Sequence, residues 1–242
     1  MVAAAAAKDA VERARRLSRL RIGLHLVLVD GTPALPPEKV PDLVDANGRM
    51  RLDLPWLGLE ICTRPSVRAQ VGSEIEAQFR AYAATGLVLD HVNSHKHFHL
   101  HPAVANEVIA IGARYGMRGL RVPYEPAAVL AEVERGAARG FDVVAPWAKL
   151  LGRRVRRAGL RAPDSVFGLA WSGAMSTARL DGLLRHLPSG TTEIYLHPAT
   201  RDGFMDCAPG YRYADELAAL IDRSVIASAR RPDVALGGYA DR

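Results

Sequence analysis

Short apolar runs of strand length alternate with helix-forming segments along this chain, and that alternation restricts its possible folds more than any other feature. RIGLHLVLV at 21–29 is rich in Leu, Ile and Val and is broken by Asp30-Gly31. A helix is expected over 66–85, with Ser66 as its N-cap and Gly86 beyond its end. GLVLDHV at 86–92 reads as the next strand, 102–115 as a helix with Pro102 in its first turn, and GLRVP at 119–123 as another strand. Residues 126–161 read as two helices around Pro146, 177–187 as a short helix, TEIYL at 192–196 as a strand and 213–229 as the last helix. A further helix is expected at 8–20, ahead of the first strand. Such an order argues for a parallel sheet or barrel. Residues 31–65 hold Pro33, Pro36, Pro37, Pro41, Pro55 and Pro65 and read as a long excursion on the substrate side. No repeat or linker divides the chain, so the expectation is one α/β domain over 1–242.

Composition narrows the class. Hydrophobic residues at 49% and charged residues at 24% are those of a globular protein with a sizeable core. No apolar run reaches the roughly 18–20 residues that span a bilayer. Lys8 follows the opening apolar stretch instead of preceding it, unlike a secretory signal, so a cytoplasmic location is expected, with the inner membrane surface open. Cys62 and Cys207 read as free thiols. The net charge of +6 is mostly arginine, in two clusters: Arg13, Arg15, Arg16, Arg19 and Arg21, then Arg153, Arg154, Arg156, Arg157 and Arg161. These read first as solvated helix faces; the sharper reading is attraction to an acidic partner. No nucleic-acid module or aromatic interleaving accompanies them, so nucleic acid is not expected as a partner.

Of the eight histidines, three share a setting. His25 lies in a strand-like run, His95 just after one, and His197 at the end of another. In a parallel barrel the C-terminal strand ends converge on one face. Imidazole binds divalent metals and titrates near neutrality, so such a set can supply both a metal site and an acid or base. Any one such histidine is ordinarily a core or surface residue; three at equivalent positions point to a shared pocket. The run Ser94–His101 is more specific. If extended, it places His95, His97, His99 and His101 on one face and Lys96, Phe98 and Leu100 on the other. Same-face neighbours are then about 6.5–7 Å apart, wide for two ligands of one ion. One or two are expected to bind metal, and the others to line the pocket, His97 beside the substrate among them, or to hydrogen-bond to the ligands.

GLHL at 23–26, DHVNSHKHFH at 90–99 and EIYLHP at 193–198 resemble, in order, the successive motifs of the YdjC-like carbohydrate deacetylases, a family that includes chitooligosaccharide deacetylases. The resemblance covers nearly the whole chain and is nearest to the hopanoid-biosynthesis-associated branch, whose expected role is deacetylation of an N-acetylglucosaminyl hopanoid lipid. It implies an incomplete TIM-type (β/α) barrel and a divalent ion, Mg²⁺ or Zn²⁺. His25 and His95 would be metal ligands, His197 the general acid that protonates the leaving amine, and Arg121 a neighbour of the substrate. The implied partner is an N-acetylated sugar or glycolipid, with peripheral membrane contact and a homodimer left open. The family pattern has Asp where this chain has Asn93, which is expected to alter the orientation of a ligand and not to abolish binding. The family also opens with an Asp-Asp-Phe-Gly strand and a helix; nothing like them precedes His25, so the first strand and helix are expected to be absent and the chain as given to be a poor enzyme. Asp9, in an expected helix, and Asp30, in a turn, are weak substitutes, and no catalytic carboxylate is assigned. Two alternatives stand beside this reading: an inactive carbohydrate-binding homologue, and a metal-dependent phosphoesterase, which would need further carboxylate ligands.

Overall fold

The computed structural model describes residues 1–137, 142–204 and 207–241. The chain divides into two compact units, Met1–Arg121 with Leu151–Ala162 and Gly238–Arg242, and Val122–Leu150 with Pro163–Gly237. Both are mixed α/β, with short parallel strands among helices.

The first unit opens with α1 (Ala7–Arg16), shorter than the expected 8–20 and with no buried residue. The strand expected over 21–29 is confined to β1 (Leu24–Leu26). It pairs in parallel with β2 (Val92–Ser94), in the register Leu24↔Val92, His25↔Asn93, Leu26↔Ser94. Val27, Leu28 and Val29 are buried yet lie outside the ladder. There the Gln78 amide takes over the strand's role: its Oε1 accepts the Val27 N–H at 2.9 Å and its Nε2 donates to the Val27 carbonyl at 2.6 Å. Buried backbone groups must be paired, and a side chain here does what a neighbouring strand would do. Single parallel bridges link Val92 with Leu120 and Gly119 with Arg161, so GLRVP contributes bridges and not a full strand.

The Pro-rich excursion is more ordered than its composition suggests. It contains a 3₁₀ turn at Pro37–Lys39 and a helix, α2 (Leu54–Thr63), with Pro55 in its first turn, where the missing N–H costs nothing. The next helix, α3 (Pro65–Ala84), likewise starts on a proline and is not capped by Ser66. Its buried stripe, Val67, Val71, Ile75, Phe79 and Tyr82, recurs at helical spacing. Glu74 of α3 is buried and pins the excursion by accepting the Ala34 and Leu35 N–H groups at 2.7 and 3.0 Å. Following β2, α4 (Pro102–Arg114) packs on α3 through a face that buries Val104, Ala105, Val108 and Ile111.

Next come α5 (Ala127–Val133) and α6 (Ala145–Arg157). Pro146, expected between two helices, sits in the first turn of α6; residues 138–141, inside the expected helical stretch, lie outside the described residues. In the second unit β3 (Ser165–Phe167) comes before α7 (Thr177–Arg185) and pairs in parallel with β4 (Thr192–Ile194). The single helix expected at 213–229 is instead α8 (Tyr213–Ile221) and α9 (Arg223–Ala229). Asp222 breaks it with an extended ψ of 138° and caps α9, its carboxylate accepting the Ser224 N–H at 2.8 Å. The core of this unit gathers Leu130, Phe167, Trp171, Met175, Leu183 and Val225. No helix among the described residues is long and apolar enough to cross a membrane.

Candidate active site

The β1–β2 register sets His25 beside Asn93, and the two side chains meet: His25 Nδ1 lies 2.5 Å from Asn93 Oδ1. An amide oxygen only accepts, so the imidazole donates from Nδ1 and keeps its lone pair on Nε2. The opposite side of the Asn93 amide continues the chain. Its Nδ2 donates to His91 Nε2 at 3.5 Å, and His91 Nδ1 donates to Asp90 Oδ2 at 2.9 Å. Asp90 is buried and also accepts the Tyr239 and Ala240 N–H groups at 3.0 and 2.9 Å. Each link fixes the donor sense of the next, so a buried carboxylate sets the tautomer of His25 through three bonds. Gly23 is required here because a Cβ would lie 2.6 Å from the His91 ring.

The His25 ring keeps some accessible surface, yet protein surrounds it on most sides. That desolvation lowers its pKa to about 3, against the opposing effect of the bond to Asn93 and with smaller help from His95 and Arg121. The imidazole is therefore neutral near pH 7, the form that can donate a lone pair to a metal. The His95 ring meets it edge-on with centroids 5.7 Å apart.

Asp30, discounted from its place in a turn, adjoins this pair. Its Oδ2 is 3.8 Å from His95 Nε2 and 2.6 Å from Lys96 Nζ. The bond to Lys96 holds the Asp30 carboxyl below its usual range. Asp30, Lys96 and His97 are, among the described residues, the only non-glycine positions with left-handed backbone, at φ 51°, 51° and 53°. Such strain costs of order 1–3 kcal/mol per residue and collects where function demands it.

The histidine run is not extended. His95–Leu100 forms a 3₁₀ segment kinked at Lys96 and His97, so the expected four-histidine face does not exist. The cause is Ser94, whose Oγ accepts the His99 N–H at 2.9 Å and lies 2.7 Å from His99 Nδ1, closing a tight loop. His99 is fully buried and its Nε2 donates to the Arg121 carbonyl at 2.9 Å, so it is a core histidine. His101 diverges to Cys62, with Nε2 3.4 Å from Sγ. His97 is partly exposed, its ring 6.2 Å from that of His99. Arg121 is buried, and its N–H donates to the Val92 carbonyl at 3.0 Å beside β2. The structure thus brings together His25, His95, Asn93 and Asp30.

In the second unit, His197 follows β4 within an aromatic surround. Its ring centroid is 5.5 Å from Tyr195 and 5.1 Å from Tyr211. The Tyr211 hydroxyl is 2.8 Å from Ser172 Oγ, and Gly173, at φ 72°, makes room for the Tyr211 ring, which a Cβ would meet at 2.2 Å. The Glu216 carboxylate, fully buried on α8, accepts the His197 N–H through Oε2 and the Met175 N–H through Oε1 at 3.0 Å. Oε2 also lies 3.9 Å from His197 Nδ1. No sequence spacing signals Glu216, which is 19 residues from His197.

The donor set suits a divalent ion in kind: two neutral-capable imidazoles, one with its Nε2 lone pair fixed by Asn93. Among the described residues no group of three or more His, Cys, Asp or Glu side chains is arranged to hold a metal ion.

The sequence model of the family described as YdjC-like protein matches residues 1–231. A protein named carbohydrate deacetylase from Thermoanaerobacter pseudethanolicus is 24% identical over 236 residues, covering 97% of this chain and 82% of that protein. One of the same name from Geobacillus stearothermophilus is 27% identical over 241 residues, covering 96% of this chain and 82% of its own length. A crystal structure from Enterococcus faecalis V583, of a protein proposed to cleave cellobiose-phosphate, superposes with a TM-score of 0.70 at 24% identity, covering 96% of this chain and 81% of that one.

Proposed function

The chain belongs to the YdjC-like protein family, and from that premise we propose that it is a metal-dependent carbohydrate N-deacetylase, a hydrolase acting on the amide of an N-acetylated sugar. The names of its relatives support sugar deacetylation in the broad sense. The single observation that carries the finer reading is the His25 imidazole, neutral, with Nδ1 committed to Asn93 and Nε2 free to ligate, next to His95.

In this reading His25 and His95 hold a divalent ion, Mg²⁺ or Zn²⁺. When bound, the ion polarises the amide carbonyl and lowers the pKa of the attacking water. Asn93 orients His25. Arg121 and His97 border the substrate. Water adds its oxygen to the amide carbon and gives up its proton to solvent, and His197 delivers a proton to the departing nitrogen as the C–N bond breaks, since an amine leaves poorly as its anion; the products are acetate and the free amino sugar. Glu216 holds the His197 backbone so that the ring keeps its place between Tyr195 and Tyr211. We take the fold as an incomplete (β/α) barrel in one domain, and the substrate as N-acetylglucosamine on a hydrophobic aglycone, such as a hopanoid lipid, or within a chitooligosaccharide.

The test is acetate release from N-acetylglucosaminides with alkyl aglycones, from chitobiose and from acetyl-lysine peptides, using the protein as its gene encodes it. Turnover confined to the sugars supports the reading, and comparable turnover of the peptides overturns it.

A further inference from the structure

We propose that the outer face of α6 is a docking surface for an anionic lipid bilayer. Residues 145–161 carry Lys149, Arg153, Arg154, Arg156, Arg157 and Arg161 and no Asp or Glu, so this one segment holds a charge equal to the +6 of the whole chain. Several arginines elsewhere are paired with carboxylates: Arg21 with Asp241, Arg51 with Asp53 and Glu60, Arg179 with Glu134. On α6, Lys149 lies over the Tyr124 ring at 5.0 Å and Arg154 bonds the Asn106 amide at 3.3 Å, contacts that leave the positive charge uncancelled. Among the described residues, Lys149, Arg153, Arg154 and Arg157 form no ion pair with a carboxylate.

The helix is amphipathic in an unusual sense. Its inner face is ordinary, with Ala148, Leu151 and Val155 buried. Its outer face adds to the cations a set of exposed apolar groups: Trp147 at 53%, Leu150 at 39% and, just before the helix, Val143 at 83%. Trp147, Leu150, Arg154 and Arg157 follow one another at spacings of three or four, so they share one side. Nucleic acid would use the cations and leave the Trp–Leu–Val group in water. A bilayer surface uses both, phosphates on the guanidinium groups and the apolar side chains at the acyl boundary, with Trp at the headgroup level it favours. At 13 residues the helix is too short to span, so it would lie in the interface plane.

The experiment is co-sedimentation of the full chain with phosphatidylglycerol vesicles and with phosphatidylcholine vesicles, beside a binding titration with duplex DNA at the same salt. The expected result is partitioning to phosphatidylglycerol only, falling with salt, and a blue shift of tryptophan emission on binding. R153E/R157E should weaken it more than tenfold, since each basic residue near an anionic surface is worth about a fivefold change; W147S should weaken it and abolish the blue shift. Should charge reversal impair folding, R153Q/R157Q makes the same comparison. Equal binding to both lipids, unchanged binding by the variants, or binding to DNA in preference to the vesicles overturns the proposal. None of these arms depends on deacetylase activity.

Discussion

Asn93 Oδ1 accepts the His25 Nδ1 proton at 2.5 Å across the β-register that pairs the two residues. Partners of this kind set ring orientation and ligand basicity, and their loss typically costs 10–100-fold in metal affinity. Asn93→Ala should therefore weaken divalent-metal binding by about that factor, while Asn93→Asp, which keeps the acceptor oxygen, should restore it. Calorimetric titration of the metal decides the matter; equal affinity in wild type and Asn93→Ala would show that the bond does not position a ligand.

His25→Ala and His95→Ala should each remove most bound metal. His186→Ala should not, because His186 is exposed at the end of α7 with its Nδ1 on the Gly182 carbonyl at 2.9 Å. Elemental analysis after dialysis separates the cases, and full metal content in both of the first two variants refutes the assignment.

The His25 environment also makes a prediction about stability. Its pKa falls from 6.5 to about 3 in the fold, chiefly by desolvation. Between those values the unfolded chain binds more protons, so stability rises with pH through this window, by up to about 1.4 kcal/mol per unit. The contribution is complete above about pH 6.5 and is lost as pH falls toward 3. Urea melts of wild type and His25→Gln at pH 4 to 7 should show a shallower slope in the variant; parallel slopes would mean that His25 is not desolvated.

Glu74 and Gln78 carry a purely structural expectation. Glu74→Ala strands the Ala34 and Leu35 N–H groups, and Gln78→Leu strands both backbone groups of Val27. An unsatisfied buried group costs about 1–3 kcal/mol, so each variant should lose about 2–4 kcal/mol in denaturant melts. A loss below 1 kcal/mol would indicate that water replaces these bonds.

The sequence made legible those parts of the molecule whose cause is local. Helical periodicity located α3, α4 and α7, and the motif at 90–99 located Asn93 and His95. What it concealed depends on contacts distant in the chain. Nothing in RIGLHLVLV shows that the ladder stops at Leu26, because the group that replaces it, Gln78, lies 51 residues away. Alternation in the histidine run suggested an extended strand, but Ser94 Oγ binds the His99 N–H and the loop closes through left-handed Lys96 and His97. Asp30 looked like a turn residue, and it is one; only its backbone at φ 51° turns the carboxylate toward His95 and Lys96.

The account stands most directly on acetate release from an N-acetylglucosaminide by the natural gene product, measured before chelation, after exhaustive chelation and after return of Mg²⁺ or Zn²⁺. It predicts release that chelation abolishes and metal restores, and that His25→Ala lacks at every stage. Release that survives chelation undiminished, or that His25→Ala retains in full, would contradict it.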